Sequence, residues 1–340
     1  MKFEGNCRAT GIGSLPFQDV DEALELVFVS APDLPFLPQL PKRSPNEGMN
    51  EQVSENLPGL RWVDGKMTVV RDDAFFVAAE ELLGKRDAED STAGAISADH
   101  AAAFDPFLAA VRQNNPSEAK GQISGPITFG MAILDETGTP ILYDDFMRDL
   151  IVRHLWLKVK WQSERIAAAG CAPVIFIDEP FLASFGTAFF GWKAEDVRRT
   201  LEEVYSAAPV TGTHCCANTD WSIFFQSSVD IISFDAFSFA EKFFLYLEDL
   251  HTFLNRGGNI AWGIVPTDPD EVARVSTKEL ADRLSQLMDQ ATRCGIQRDQ
   301  ILRQSLITPA CGLGTRPPDT ARRATELARD VAAAIALANP

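Results

Sequence analysis

The sequence predicts an α/β chain folded as a TIM (β/α)8 barrel with an insertion after the second strand. Three observations predict it. Short apolar, β-rich runs alternate with helical patterns along the chain, the runs number eight, and residues of unusual chemistry gather at their carboxyl ends. A length of 340 residues accommodates such a barrel with elaborations as one domain, 1–340.

The first strand, 8–13, ends in the turn Gly11-Ile12-Gly13-Ser14, and a helix follows over 20–29. The second strand, 36–40, lies inside PDLPFLPQLPKR, whose apolar content marks a strand and an ordered loop rather than a linker. Residues 44–119 fit the repeat poorly and read as an insertion near the barrel mouth, with a small hairpin at 66–70 and a helix at 72–84. The third and fourth strands, 121–124 and 173–177, flank a helix at 147–169. Beyond a helix at 194–207 come strands at 210–214 and 231–234, then a helix at 239–254. The last two strands, 260–264 and 305–308, are separated by a helix at 277–294 and followed by one at 319–337. In that final helix Asp319 is expected to cap the amides after Pro317 and Pro318, and Ala, Leu and Arg fill the body.

Composition narrows the function. With 46% hydrophobic and 23% charged residues the chain can bury a large core. A net charge of −17 repels nucleic acid and anionic membrane surfaces, so neither is an expected partner. The opening MKFEGNCRATGIGSLP lacks the pattern of a signal peptide, and no stretch approaches the ~20 apolar residues of a membrane span; a cytoplasmic protein is expected. Six cysteines, at 7, 171, 215, 216, 294 and 311, show no disulfide framework. Cys7, Cys171 and Cys294 read as small buried hydrophobes, which leaves the others for chemistry.

Chemistry in a barrel of this kind sits at the carboxyl ends of the strands. Those ends here carry Gly13-Ser14, Asp178-Glu179-Pro180, His214-Cys215-Cys216, Asp235 and Cys311-Gly312. Two residues apart on an extended segment, His214 and Cys216 point to the same side and Cys215 points away. A His-Cys-Cys run alone is more often core than ligand; Cys311, in a glycine-flanked loop at another strand end, tips the reading toward metal. One imidazole and two thiolates favour Zn2+ over Mg2+ or Ca2+, in a site with an open, catalytic position, and Asp235 is a candidate fourth, displaceable ligand. Asp178 and Glu179 admit two readings: a capping or salt-bridged pair, or Asp178 as the receiver of a substrate ammonium. The Gly11 to Ser14 turn can bring backbone amides close to a ligand carboxylate, but it matches neither the Walker nor the dinucleotide pattern.

Taken in order, ATGIGSLP (9–16), GPITFG (125–130), IDEP (177–180), THCC (213–216), SFDAF (233–237) and TPACGLGTR (308–316) resemble the cobalamin-independent methionine synthase family. The resemblance is to its catalytic carboxyl-terminal barrel, in a short single-domain form, within a superfamily shared with uroporphyrinogen decarboxylases. It implies zinc held by His214, Cys216, Cys311 and Asp235, the last standing where the family usually has Glu. It further implies that Ile12, Gly13 and Ser14 meet the carboxylate of homocysteine and that Asp178 meets its ammonium as a catalytic-site residue. The family's second ammonium-binding carboxylate is not assigned; Arg43 and Glu47 lie in the relevant stretch. Zinc would lower the pKa of the homocysteine thiol so that a thiolate attacks the methyl group.

The donor is where the sequence departs from the family. Ala132, Ser184 and Ile264 stand where the resemblance leads one to expect a folate-stacking tryptophan, an acidic folate contact and a proton-donating histidine. The chain also has no room for the additional amino-terminal barrel of the longer enzymes. Methylcobalamin, free or on a corrinoid protein, is therefore the expected donor, with methyltetrahydrofolate as the alternative. Two rival classes remain: a decarboxylase-like barrel that binds a tetrapyrrole, which needs basic residues at the mouth, and a non-catalytic zinc-bearing binding protein.

Overall fold

Alternation inside and outside a curled sheet organises this chain. The computed structural model describes residues 3–187, 190–293 and 295–339; Cys294 lies outside them. Numbered along the chain, the strands are β1 (Arg8–Ala9), β2 (Leu60–Val63), β3 (Lys66–Val69), β4 (Glu118–Ser124), β5 (Ala172–Asp178), β6 (Thr211–Cys215), β7 (Ile231–Phe234), β8 (Asn259–Val265) and β9 (Ser305–Pro309). Seven of them form one parallel sheet in the order β1-β9-β8-β7-β6-β5-β4, while β2 and β3 make a separate antiparallel hairpin.

The second predicted strand is present as a stave without a regular ladder. Leu37 N–H donates to Lys120 O at 2.8 Å on one side, and Leu15 N–H donates to Gln39 O at 2.9 Å on the other, so residues 35–39 bridge β4 to the chain beyond β1. Pro35, Pro38 and Pro41 have no N–H to give, which explains isolated bridges in place of a full strand. With this stave the sheet curls round in the manner of a TIM barrel.

Outward-facing residues such as Ile123, Ile175, Ile177, Ile232, Phe234, Trp262 and Ile307 join the large core beneath the helices. Inward-facing Val174, Phe176, Ile231, Ala261 and Leu306 join Phe3 and Leu34 in a second, smaller cluster that plugs the interior. Gly212 makes room for that plug: a Cβ there would come within 2.6 Å of the Phe176 ring. On β4, beside the plug, the inward positions are polar. Residues Lys120, Gln122 and Ser124 of β4 are all fully buried, and in register Asp178 sits beside His214, and His214 beside Ser233.

The outer helices follow ordinary rules. Helix Ala194–Tyr205 buries Val197, Leu201 and Val204, and Thr277–Thr292 begins with a capping box between Ser276 and Glu279 and buries Leu280, Leu284 and Met288. Two expectations need correction. The helix foreseen at 239–254 is broken into Ala236–Phe243, a tight turn at Phe244–Tyr246 and Leu247–Asn255. Asp319 does not cap the final helix, Pro318–Ala338; Pro317 occupies the cap position without a side-chain bond, and Asp319 only adds favourable charge in the first turn. Within 44–119 lie the β2–β3 hairpin and the helices Met49–Ser54, Asp73–Asp87 and Phe104–Asn114. No helix among the described residues is long and apolar enough to cross a membrane.

The plug makes a testable demand. Gly212→Val should lower stability by about 1–3 kcal/mol through overpacking against Phe176. A thermal melt unchanged from the parent protein would show that the interior is not filled as described.

Candidate metal and substrate site

At the carboxyl ends of the strands a cavity of about 320 Å3 opens, and Ile12, Ser14, Asp178, His214, Cys216 and Cys311 all line it. Topology brings them there, because every parallel strand of a barrel delivers its last residues to one rim. The ligand atoms of His214, Cys216 and Cys311 lie within 4.8 Å of one another. Cys215, one residue from both partners, points out of the cluster and is fully buried, with its thiol directed to Ala217 O.

His214 is held for the role. Its Nδ1 is 2.9 Å from Ser233 Oγ on β7, while Nε2 is buried and makes no hydrogen bond. A buried polar atom left without a partner costs about 1–3 kcal/mol. Asp178 Oδ1, which belongs to the same cavity lining, is in the same condition. A fold tolerates such atoms together where a ligand meets them. The two sulfurs share this character: a hydrogen bond from Cys216 to Cys311 favours one thiolate at Cys311, with His214 assisting, and the same contact, with burial, raises the Cys216 thiol. One imidazole nitrogen and two sulfurs at this spacing, around an open cavity, make a donor set that could hold a metal ion, and sets rich in sulfur suit zinc.

Asp235 stands outside that cluster. Its Oδ1 accepts Ser238 N–H at 2.7 Å and caps helix Ala236–Phe243, so the sequence-expected fourth ligand is engaged in holding a helix end. It remains close enough to feel the charges of Cys311 and His214.

The adjacent carboxylates at the end of β5 point in different directions. Glu179 turns away from the cavity and accepts Ile127 N–H at 2.9 Å, Thr128 N–H at 2.8 Å and the Thr128 hydroxyl at 2.7 Å, anchoring the start of helix Pro126–Ala132. Asp178 faces the cavity. Burial raises its pKa to about 6, while the Lys120 ammonium and His214 pull it back.

Across the cavity lies the 12–14 turn. Gly13 has φ +151°, and a Cβ on it would approach Gln122 to 2.7 Å, so the turn requires glycine. The bridge to residue 39 uses Gly13 O and Leu15 N–H and leaves the Gly13 and Ser14 amides out of the ladder. The loop after Cys311 is tied to the same place, Leu313 N–H donating to Ser14 O at 2.9 Å and Gly314 N–H to Ser14 Oγ at 3.2 Å. Sequence reasoning missed Ser233, an unremarkable strand residue until its register with His214 is known. It left Glu47 open; the structure lines the cavity with Glu47, fully buried, accepting Leu40 N–H at 3.1 Å and paired with Arg43 at 2.9 Å. Its pKa too is raised by burial.

Comparison with known proteins bears on the family and the fold. The model of the cobalamin-independent synthase catalytic domain matches residues 88–334. Among solved structures, a B12-independent methionine synthase from Shewanella sp. W3-18-1 in complex with selenomethionine is similar over 98% of each chain, at 16% identity and a TM-score of 0.58. A methyltransferase from Methanosarcina mazei is similar over 95% of this chain and 93% of its own, at 12% identity and a TM-score of 0.55. At such identities both structures speak for the fold alone. No curated protein matches the chain.

Two experiments probe the site. Cys216→Ala and Cys311→Ala should each keep a folded circular-dichroism spectrum yet lose zinc on dialysis, and Ser233→Ala should weaken zinc affinity by about 10–100-fold; a Cys311→Ala protein that retained stoichiometric zinc would remove that residue from the ligand set. Asp178 supplies a pH test on metal-free protein. Because folding raises its pKa from 3.8 to about 6, the stability it contributes is full below the lower value and lost as pH rises through the upper one. Asp178→Asn should therefore be more stable than the parent by about 1–3 kcal/mol at about pH 7.5 and no more stable at about pH 3.5, as read by denaturant melts.

Proposed function

Because the chain belongs to the cobalamin-independent synthase family through its catalytic domain, and is thus a methyltransferase, we propose that it methylates the thiol of homocysteine to give methionine. We read 1–340 as one catalytic barrel and 44–119 as an insertion that roofs its mouth, since Glu47 and Met49 from that stretch line the cavity. The observation that carries the reading is the meeting of three kinds of group in one space: the soft donors His214, Cys216 and Cys311, the carboxylates Asp178 and Glu47, and the amides of the 12–14 turn.

Each end of a homocysteine molecule finds its complement there. The carboxylates Asp178 and Glu47 favour its ammonium, and Ile12, Gly13 and Ser14 present backbone to its carboxylate. His214, Cys216 and Cys311 would hold Zn2+, which when bound stabilises the thiolate form of the acceptor. Asp235 would act from beside the cluster, through charge and as the cap of its helix. The ordered cavity fixes the thiol against the incoming methyl group, which converts part of the entropic barrier into binding.

The family is described as cobalamin-independent, which is at odds with methylcobalamin as donor and gives a corrinoid protein partner no support. Methyltetrahydrofolate takes that place in the proposal. Ile264 is buried within β8 against the outer core. Ala132 borders a cleft of about 280 Å3 beside Trp62, which is 55% exposed, so an aromatic face is available where the family's tryptophan is missing. The tetrapyrrole rival finds no support in the cavity, whose lining includes acids and sulfurs and no lysine or arginine.

The decisive experiment offers zinc-loaded protein homocysteine with either methyltetrahydrofolate or methylcobalamin and measures methionine. Turnover is expected with folate and should fall at least about tenfold in Trp62→Ala. Turnover on methylcobalamin alone would restore the corrinoid reading, and methionine from neither donor would overturn the proposal.

A further inference from the structure

Lys120 is fully buried inside the barrel, an unusual place for a lysine, and no carboxylate among the described residues pairs with it in a salt bridge. Its ammonium donates to Ile12 O at 2.7 Å and to Gln122 Oε1 at 3.1 Å, and it stands 4.5 Å from the centre of the Phe176 ring. Gln122 in turn donates from Nε2 to Leu37 O at 2.8 Å and packs under Gly13. Two side chains of one strand thus reach the adjoining 35–39 stave and, beyond it, the chain after β1, with Lys120 resting on the Phe176 ring of the plug. They do so at the seam where the backbone supplies only the bridges Phe36–Lys120 and Ser14–Gln39.

The direction of the Ile12 carbonyl has a consequence. In a planar trans peptide the carbonyl of one residue and the N–H of the next point in opposite directions. With Ile12 O held by the Lys120 ammonium, the Gly13 N–H therefore points away from Lys120. Gln122 fixes the same turn from below, where only glycine leaves it room.

We infer that Lys120 and Gln122 are positioning residues for the amino-acid end of the acceptor: they set the height and orientation of the 12–14 turn, and the Lys120 charge offsets that of Asp178. The inference rests on the reading of the acceptor as homocysteine. It assigns no contact with the reacting thiol, and so separates recognition of the amino acid from capture of sulfur.

That separation is measurable. Cobalt(II)-loaded protein, titrated with homocysteine and with 2-mercaptoethanol, reports thiolate binding through its charge-transfer absorption for both molecules, of which only the first carries an amino-acid group. Lys120→Met and Gln122→Leu should each weaken homocysteine binding by about tenfold or more, leave 2-mercaptoethanol binding unchanged, and raise KM for homocysteine more than they lower kcat. Equal weakening of both thiols, no weakening of either, or failure of both variants to fold would overturn the inference and leave the homocysteine reading standing. Parent protein that binds homocysteine no better than 2-mercaptoethanol would instead refute the acceptor reading itself.

Discussion

The interior of a closed parallel sheet is dry and narrow, and every second residue of each strand must be accommodated in it. Apolar side chains around Phe176 fill part of it, the buried polar residues Lys120 and Gln122 of β4 lie in register with Val174 and Phe176 of that plug, and His214, Cys216, Cys311 and Asp178 face the opening. The buried polar residues, with Ser233 beside His214, are costly to bury and are kept in place by bonds to backbone carbonyls and to the site itself. Together with the plug they give the open layer a rigid floor.

Much of this was legible in the sequence because buried parallel strands read as short apolar runs with abrupt polar ends. The run at 231–234 coincides with β7, and the strand-end residues His214, Cys216, Cys311, Asp178 and Ser14 do gather around one cavity. The illegible parts have physical reasons. Prolines thinned the stave at 36–40 to isolated bridges, a decision made by missing N–H groups that apolar content does not register. Asp235 caps the start of a helix and is outside the group of His214, Cys216 and Cys311, and only the backbone path at the end of β7 reveals this. Lys120 carries no sign in one dimension that its side chain points inward, and Ser233 acquires meaning only through its register with His214.

The neighbouring acids of β5 show how a strand end separates structure from chemistry. With successive side chains on opposite faces, Glu179 is spent on the amides of helix Pro126–Ala132 while Asp178, one residue earlier, is left with an unpartnered oxygen in the cavity. The same peptide unit thus anchors a helix that borders the mouth and offers a charge to what enters it. A change at either residue reaches the other through the backbone they share.

The order of the strands also governs when the molecule can be completed. β1 has β9 as its partner, so the first strand waits for the last before it pairs. His214 and Cys216 arrive with β6, but Cys311 follows β9. A growing chain therefore brings the three soft side chains together only at ring closure, and on the proposed reading a metal ion would be taken up late in biogenesis.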